Sequence, residues 1–477
     1  MKGDTFMSKP NVILIYPDQM RFDCMSKLGH PTVKTPNLDA LADESAMFME
    51  AYTSFPLCCP FRGSLMTGKY AHKNGMWCNH MPIPLNQEFI ADLARNGGYH
   101  TGWIGKWHLN GGPKFVQVPE KYHLGFDEFT GYSRGHHYTK SLFYKKGDPT
   151  PRTSDRYEPE FQTDQMIDFV DRTVSGGQSF FGMMCYGLPH PPVNEIPPEY
   201  VVYKPEDIVI PDTVPEHEKA KVREFSSKYF SMISVVDRET GRLIRHLKEK
   251  GLWDNTLFIF VSDHGELLGE HGLWHKRSFH DGSQHVPLLI HAPGQKARRV
   301  DQLVDPSVDL APTILDYCGI DIPEVMQGQS LRRLIETGED ESKNDYIYCQ
   351  VIGIDENDWN RGHIEMKGGV SNENIRCTFP ERGIRTKDWV YIEKCGAPHL
   401  LFDLKKDPQE RYNMVDNGKY LDKVLEMRAW LEKLMKQYGD DWSIRVTEAP
   451  EGYQDPRAAE FSFTDFMAQA ITDDPWA

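Results

Sequence analysis

Two pairs of side chains in this 477-residue sequence are suited to holding a metal ion. Asp18 and Gln19 form the first pair, and Asp263 and His264 form the second. Two carboxylates, an imidazole and an amide oxygen together suit a hard or borderline divalent cation. Each aspartate taken alone is better explained as a turn or capping residue, because Asp is common at such positions. The occurrence of two such pairs favours a metal site.

A cysteine at the predicted start of a helix is the candidate nucleophile. Pro60 suits the first turn of a helix, so Cys58 would lie at its N-terminus, where free N–H groups and the dipole favour anions and thiolates. Arg62 lies one turn further along and is placed to bind an oxyanion through two hydrogen bonds. Free cysteines are most often buried apolar residues. These residues alone therefore leave open a structural role for Cys58 and Cys59, and a cysteine hydrolase.

Several cationic or protonatable side chains accompany these residues. Lys106 and His108 alternate along a predicted strand, so they would point to the same side if the strand continued. His190 follows another apolar run, and Lys276 lies between the Asp263-His264 pair and the next strand. One lysine alone is more simply a solvated surface residue. Several cations around one metal site instead predict an anionic substrate.

A sheet must bring these separated residues together. Four short, continuously apolar runs are predicted to be buried strands: Val12–Tyr16, Phe180–Tyr186, Leu257–Val261 and Val286–Ile290. Apolar residues at helical spacing predict a helix over Lys221–Lys250, with Gly251 as its stop. This alternation predicts an α/β fold in which a large, mainly parallel sheet is sandwiched by helices. Ligands collect beyond the carboxyl ends of such strands, where three of the polar clusters lie.

The sequence also predicts a division of the chain. Residues 1–345 are expected to form the catalytic α/β domain, residues 346–442 a smaller C-terminal α+β subdomain, and residues 443–477 a tail. The sequence pattern predicts two strands of the smaller sheet, Trp389–Ile392 and Leu400–Leu404, and one helix, Tyr420–Gln437.

Composition excludes some classes of function. The net charge of -16 and the sequence pI of about 5.6 argue against a nucleic-acid or anionic-membrane binder. The nine cysteines are scattered and do not form a disulfide framework pattern. The sequence shows neither a signal-peptide pattern nor an apolar stretch near the ~20 residues of a membrane span, which predicts a cytoplasmic protein.

These clusters resemble the formylglycine sulfatases, a branch of the alkaline phosphatase superfamily. The first signature of that family is Cys-x-Pro-x-Arg followed by Thr-Gly, which matches Cys58, Pro60, Arg62, Thr67 and Gly68. The second signature ends in Gly-Lys-Trp-His-Leu, which matches Gly105 to Leu109. The resemblance runs from Asn11 to about Asn413, and its independent motifs occur in the expected order.

The resemblance implies a nucleophile and a cofactor. Cys58 would be oxidised by a formylglycine-generating maturation enzyme, and the hydrate of the resulting aldehyde would attack sulfur. Loss of a proton from the second hydroxyl would then release sulfate, a step that a plain Ser or Cys nucleophile cannot make. The metal would most often be Ca²⁺, although Mn²⁺ or Mg²⁺ suits the same ligands. The implied ligands are Asp18, Gln19, Asp263 and His264.

The resemblance also assigns roles to the cationic and imidazole side chains. Arg62 and Lys106 would orient the hydrate and bind sulfate, and His108 would receive a proton from the hydrate. His190 and Lys276 would contact the ester oxygen and assist the leaving group. Asn79 lies where related enzymes place a substrate-binding amide. Independently of the resemblance, Arg134, His136 and His137 lie in a polar stretch that would line the substrate mouth, while an ordinary surface loop explains any one of them slightly better.

The implied function is that of a sulfuric ester hydrolase acting on a sulfated carbohydrate or a small organic sulfate. Phe61 departs from the small residue usual in the first signature, and Gln19 replaces a common Asp. The Asp-Gln and Asp-His pairs also resemble phosphonate monoester hydrolases, which makes a phosphonate monoester or phosphodiester hydrolase the alternative. Lys106 and His108 keep the sulfatase form. A non-catalytic binding protein fits less well, because every expected catalytic position holds a usable residue. A homo-oligomer is compatible with the sequence.

Overall fold

The computed structural model describes residues 9–352 and 380–442. Its largest element is a ten-stranded sheet with the order β10-β2-β9-β8-β1-β7-β3-β4-β5-β6. The strands are β1 (Asn11–Asp18), β2 (Ala46–Ala51), β3 (His100–Lys106), β4 (Glu128–Tyr132), β5 (Leu142–Lys145), β6 (Asp148–Thr153), β7 (Phe180–Pro189), β8 (Thr256–Val261), β9 (Leu288–His291) and β10 (Arg298–Val304).

The five central strands, from β8 to β4, pair in parallel. Their carboxyl ends therefore lie along one edge of the sheet, where the polar residues that follow them can meet. β9 runs antiparallel to both β8 and β2, and β5 and β6 extend the other side as antiparallel strands. The prediction of a large, mainly parallel sheet is confirmed.

Helices cover both faces of this sheet. β1 is buried along its whole length, and its side chains alternate between two cores. Val12 and Leu14 pack toward α2, α4, α8 and α9, whereas Ile13 and Ile15 pack toward α1, α5 and α6. The helices are α1 (Pro36–Ala42), α2 (Cys58–Thr67), α3 (Ala71–Asn74), α4 (Ile90–Asn96), α5 (Glu158–Ser175), α6 (Lys219–Glu249), α7 (Asp281–Gln284), α8 (Pro306–Cys318), α9 (Arg332–Thr337) and α10 (Leu421–Tyr438).

A close approach of β3 to β7 explains the glycine before Lys106. Gly105 has a φ of +103°, and a Cβ at this position would lie 2.2 Å from the carbonyl oxygen of Cys185. Any other residue would push the two strands apart or strain the backbone. Glycine at position 105 therefore lets β3 stay paired with β7 up to the residue before Lys106.

A second, antiparallel sheet has the order β11-β12-β13-β14. One of its faces packs on α10, and the other packs on residues of the catalytic region such as Tyr52, Phe55 and Phe279. The smaller α+β unit is thus confirmed as an element of the fold. Its strands are β11 (Ile347–Val351), β12 (Glu381–Arg385), β13 (Trp389–Lys394) and β14 (Ala397–Asp403).

The boundary between residues 345 and 346 remains a prediction, and the predicted tail of residues 443–477 lies outside the described residues. Among the residues that are described, no helix is both long and apolar enough to span a bilayer. The cytoplasmic location also remains a prediction.

Candidate active site

Four predicted site residues converge where the central strands end. Asp18 is the last residue of β1, Asp263 and His264 follow β8, and Cys58 is the first residue of α2. One ligand atom from each lies within 4.8 Å of the others, and all four side chains are buried. The structure therefore brings these separated residues together, as expected from their places after parallel strands.

Cys58 lies in the middle of this group. Its Sγ is 3.2 Å from His264 Nε2 and 3.6 Å from Asp18 Oδ1. Neither Cys58 nor Cys59 is in a disulfide, and the Cys59 thiol instead donates to the backbone carbonyl of His108 at 2.9 Å. The candidate nucleophile thus starts a helix, as Pro60 predicts, and points toward the acidic and imidazole groups.

Two buried cations share one carboxylate. Arg62 Nη2 and Lys106 Nζ lie 2.9 and 2.8 Å from Asp18 Oδ2, and all three side chains are inaccessible to solvent. Burial opposes ionisation of Asp18, but the charges of Lys106 and Arg62 together hold its pKa well below the usual value. Asp18 is therefore a carboxylate at neutral pH, with two cations at one of its oxygens and Cys58 at the other.

The residues present fit a divalent cation. Asp263 Oδ2 is buried and has no hydrogen-bond partner among the described residues, which leaves an acceptor for a positive group. Asp18 offers its other oxygen, and His264 offers Nε2 within the same 4.8 Å group. Carboxylate oxygens with one imidazole suit Ca²⁺, Mg²⁺ or Mn²⁺. The structure thus contains a candidate metal site, and its donor set accepts more than one of these ions.

Gln19 adjoins this site through an unusual backbone conformation. It has a φ of +73°, and its backbone N–H donates to Asp263 Oδ1 at 3.0 Å. Its side-chain oxygen accepts a hydrogen bond from Lys276 Nζ at 2.8 Å. The amide oxygen of Gln19 therefore faces a cationic side chain, while the backbone of the same residue contacts Asp263 of the metal site.

Lys276 connects Gln19 to a pair of imidazoles. Its Nζ is 2.6 Å from His190 Nε2, and His190 Nδ1 is 2.5 Å from the carbonyl oxygen of Pro191. The His190 ring stacks on His136 with centroids 3.9 Å apart. Burial, helped by neighbouring His136 and Lys276, lowers the pKa of His190 well below its usual value. His190 is therefore neutral, and Lys276 is the proton donor of this pair.

His108 does not continue the strand that carries Lys106. β3 ends at Lys106, and His108 has a φ of +62°. The strand therefore does not continue to His108, as the prediction that both side chains point to the same side required. The His108 N–H instead donates to the Ser133 carbonyl at 2.6 Å. His108 Nε2 is 2.9 Å from His80 Nδ1. Burial and the charge of Lys106 lower the pKa of His108 well below its usual value, so its imidazole is able to accept a proton.

The predicted substrate residues lie in different environments. Asn79 Oδ1 accepts a hydrogen bond from the Cys59 N–H at 3.1 Å, so it satisfies a free donor at the start of α2. His136 joins the site, with Nε2 3.4 Å from Lys106 Nζ. His137 is 62 % exposed and lies 3.4 Å from Glu195. Arg134 is buried and donates to the Gly112 carbonyl. The structure thus brings His136, but not His137, into contact with the central groups.

Three contacts of the site were not predicted. His80 contacts His108, the Tyr138 hydroxyl lies 2.9 Å from His136 Nδ1, and Glu266 accepts a hydrogen bond from the Gln19 amide. Glu266 lies two residues after His264 in the sequence, so its proximity to the site had a sequence signal, although its contact with Gln19 had none. His80 and Tyr138 had no sequence signal beyond their proximity to Asn79 and His136.

Comparisons with known proteins agree with this geometry. The sulfatase family profile matches residues 10–320. The ulvan-active sulfatase of Formosa agariphila is 30 % identical over 444 residues, which cover 92 % of this chain and 83 % of that protein. The N-acetylglucosamine-6-O-sulfatase of Bacteroides thetaiotaomicron is 26 % identical, over 91 % of this chain and 87 % of that protein.

A solved structure extends the comparison to the phosphonate branch. The phosphonate monoester hydrolase of Agrobacterium radiobacter has a TM-score of 0.73 and 25 % identity, covering 92 % of this chain and 98 % of that one. The fold is thus that of the alkaline phosphatase superfamily. Because the family profile covers more than half of the sequence, the chain belongs to the sulfatase family, and it is a sulfuric ester hydrolase.

Proposed function

We propose that Cys58, converted to formylglycine by a maturation enzyme, provides the nucleophile for sulfate-ester hydrolysis. The observation that carries this proposal is the position of the Cys58 side chain. Cys58 is the first residue of a buried helix, and its side chain contacts His264 and Asp18. Asp18 in turn contacts the cations of Arg62 and Lys106. An oxygen nucleophile at this position would meet the sulfur of an ester whose charged oxygens face those cations.

The proposed metal ligands are Asp18, Gln19, Asp263 and His264. When bound there, a divalent cation acts as a Lewis acid on sulfate oxygens and lowers the pKa of a bound hydroxyl. Ca²⁺ is the proposed ion because oxygen donors dominate the set. Asp18 has a second task, since its Oδ2 holds the two cations of Arg62 and Lys106 in place.

The chain's own groups divide the remaining work. Arg62 and Lys106 stabilise negative charge on the sulfate oxygens in the transition state, which is most effective in a buried site. His108, neutral because of its burial, receives a proton from the second hydroxyl of the hydrate when sulfate is expelled. Lys276 faces His190 and Gln19, and it donates a proton or hydrogen bond to the departing ester oxygen. General acid help of this kind contributes about 10²–10⁴-fold.

The proposed substrate is a sulfated carbohydrate, with a small organic sulfate as the other candidate. The name of the Bacteroides relative states an amino sugar as its substrate. His136 stacks on His190 next to Lys106, so it is placed to contact the group that carries the sulfate. Asn79, His137 and Arg134 remain predicted substrate contacts.

A specific observation keeps the phosphonate branch as the second candidate. Gln19 and His264 reduce the negative charge of the proposed metal ligands, and the structure resembles a phosphonate monoester hydrolase. Lys106 and His108 favour the sulfatase, because they retain the second sulfatase signature.

Parallel turnover assays separate these two candidates. The protein, produced with a maturation enzyme, is assayed with an aryl sulfate and the matching aryl phosphonate monoester. We expect a higher kcat/KM for the sulfate, and loss of both activities in Cys58→Ala. A higher kcat/KM for the phosphonate would place the enzyme in the second branch. A sulfated sugar panel with the same variant as control then tests the substrate class.

A further inference from the structure

Glu266 is a buried carboxylate that has no assigned role in the reaction. Its side chain is inaccessible to solvent and accepts hydrogen bonds on both oxygens. Oε1 accepts from the backbone N–H groups of Leu268 and His275, at 3.2 and 2.6 Å. Oε2 accepts from the side-chain amide of Gln19. All of these partners are N–H donors, so Glu266 acts here as an acceptor.

This arrangement selects one of two orientations for the Gln19 amide. A glutamine side chain has an oxygen on one side and an NH₂ group on the other, and the two have nearly the same shape. The acceptor Glu266 attracts the NH₂ group, so the oxygen turns toward Lys276 Nζ, 2.8 Å away. The Gln19 backbone is itself fixed, because its N–H donates to Asp263 and its carbonyl accepts from Tyr229.

The same carboxylate also holds the segment that leads to Lys276. Glu266 accepts hydrogen bonds from the backbone N–H groups of Leu268 and His275, which are the two ends of this segment. His275 directly precedes Lys276. The Glu266 side chain therefore contacts both Gln19 and the backbone next to Lys276, which donates to Gln19.

We propose that Glu266 is a positioning residue that keeps the Gln19 amide oxygen facing the cation site and Lys276. The inference rests on the proposed function, in which Gln19 is a metal ligand. Hydrogen-bond partners of metal ligands commonly set ligand orientation, and their loss costs about 10- to 100-fold in metal affinity or activity.

An isosteric substitution tests the orientation directly. In Glu266→Gln, the oxygen can still accept from the backbone N–H groups, but an NH₂ group now faces the NH₂ group of Gln19. Gln19 must rotate its amide to restore a hydrogen bond, which turns its NH₂ group toward the cation site. We expect Kd for Ca²⁺ or Mn²⁺ to rise about 10- to 100-fold, measured by calorimetry on protein made without maturation.

A charge-swapped double variant separates positioning from a merely structural role. In Glu266→Gln combined with Gln19→Glu, the new amide donates to the new carboxylate, whose other oxygen faces the cation site. We expect Kd to return to within about threefold of wild type or to fall below it, because the hydrogen bond between the two side chains is restored and the oxygen that faces the cation site is now charged. Recovery of Kd supports the proposal even if Glu266→Gln alone fails to fold. A double variant that does not recover metal binding, folded or not, overturns it.

Glu158 provides a matched control. It is also fully buried and also accepts from a glutamine amide, that of Gln162 at 3.0 Å, but this glutamine has no place in the metal site. Glu158→Gln should change thermal stability and leave Kd for the metal unaltered. An equal loss of metal affinity in Glu158→Gln would show a general effect of buried carboxylates and would contradict the proposal.

The metal measurement is independent of turnover. Wild-type protein that binds metal and shows the predicted Kd changes, but hydrolyses no sulfate ester, would contradict the proposed function and leave the role of Glu266 standing. Wild-type protein that binds neither Ca²⁺ nor Mn²⁺ would contradict the metal site and, with it, this inference.

Discussion

Asp18 explains why so many charges are buried at one point of the molecule. Its Oδ2 contacts both Arg62 and Lys106, while its Oδ1 faces Cys58 and His264. An unpaired buried charge would be costly, so the two cations and the carboxylates stabilise each other. A bound sulfate ester and a divalent cation would add one negative and one positive group to this balance.

Lys106→Met tests the charge balance at the level of a residue. The variant keeps a similar side-chain length but removes one of the two cations beside Asp18. We expect kcat/KM for an aryl sulfate to fall about 10²–10³-fold, as for loss of one group that stabilises transition-state charge. The control is Lys433→Met, on the exposed face of α10. Turnover by Lys106→Met within about threefold of wild type would show that Lys106 does not act on the substrate.

At the level of elements, the start of α2 depends on a residue from outside the helix. The N-cap residue, Leu57, has no side chain that accepts a hydrogen bond. Asn79 Oδ1 instead accepts from the Cys59 N–H at 3.1 Å. Asn79 therefore stabilises the turn that carries the candidate nucleophile, in the way that an N-cap side chain would.

Paired substitutions at Asn79 separate this helix contact from substrate binding. Asn79→Ala removes the acceptor, and we expect it to lower the free energy of unfolding by about 1 kcal/mol in urea titrations. Asn79→Asp keeps the acceptor, so its stability should stay near wild type. If the Asn79 NH₂ group binds the anionic substrate, Asn79→Asp raises KM, because a donor is lost and a negative charge added. An unchanged KM would leave Asn79 with the helix contact alone.

The sequence was sufficient for those features that depend on local pattern. Apolar runs predicted β1, β7, β8 and β9, and Pro60 predicted that Cys58 begins a helix. The rule that ligands gather after parallel strands then predicted that Asp18 and Asp263 meet. The prediction that Lys106 and His108 point to the same side required the strand to continue to His108. In the structure, β3 ends at Lys106.

Contacts between distant segments had no local signal. The Gln19–Glu266 hydrogen bond joins residues that are 247 positions apart, and the Asn79–Cys59 bond depends on the path of a loop. Side-chain identity shows what each residue can donate or accept, but only the packed chain shows which partner it meets.

At the level of the whole molecule, a buried ion pair joins α10 to the smaller sheet. Asp440, just beyond α10, accepts from Arg382 of β12 at 2.6 and 3.0 Å, and both side chains are almost fully buried. Asp440 also accepts from the Tyr348 hydroxyl of β11. This network fixes the helix to the sheet whose other face packs on the catalytic region.

Asp440→Asn tests how strongly this network holds the molecule together. The substitution leaves the Arg382 charge buried without its partner, and breaking such a pair costs about 3–5 kcal/mol. We expect a clearly lower urea midpoint. Asp388→Asn is the control, since the Lys405–Asp388 pair is 71 % and 41 % exposed and contributes less than about 1 kcal/mol. Equal effects of the two substitutions would contradict the interpretation of Asp440–Arg382 as the stronger link.

We expect the sulfatase activity of this protein to depend on the chemical state of Cys58, and this dependence is measurable in a single experiment. The same wild-type sequence is produced with graded amounts of a maturation enzyme, and each preparation is analysed by mass spectrometry at Cys58 and by sulfate release from an aryl sulfate. We expect turnover to rise in proportion to the fraction of Cys58 present as formylglycine and to vanish when all of it is thiol. Equal turnover by preparations with and without the aldehyde would contradict it.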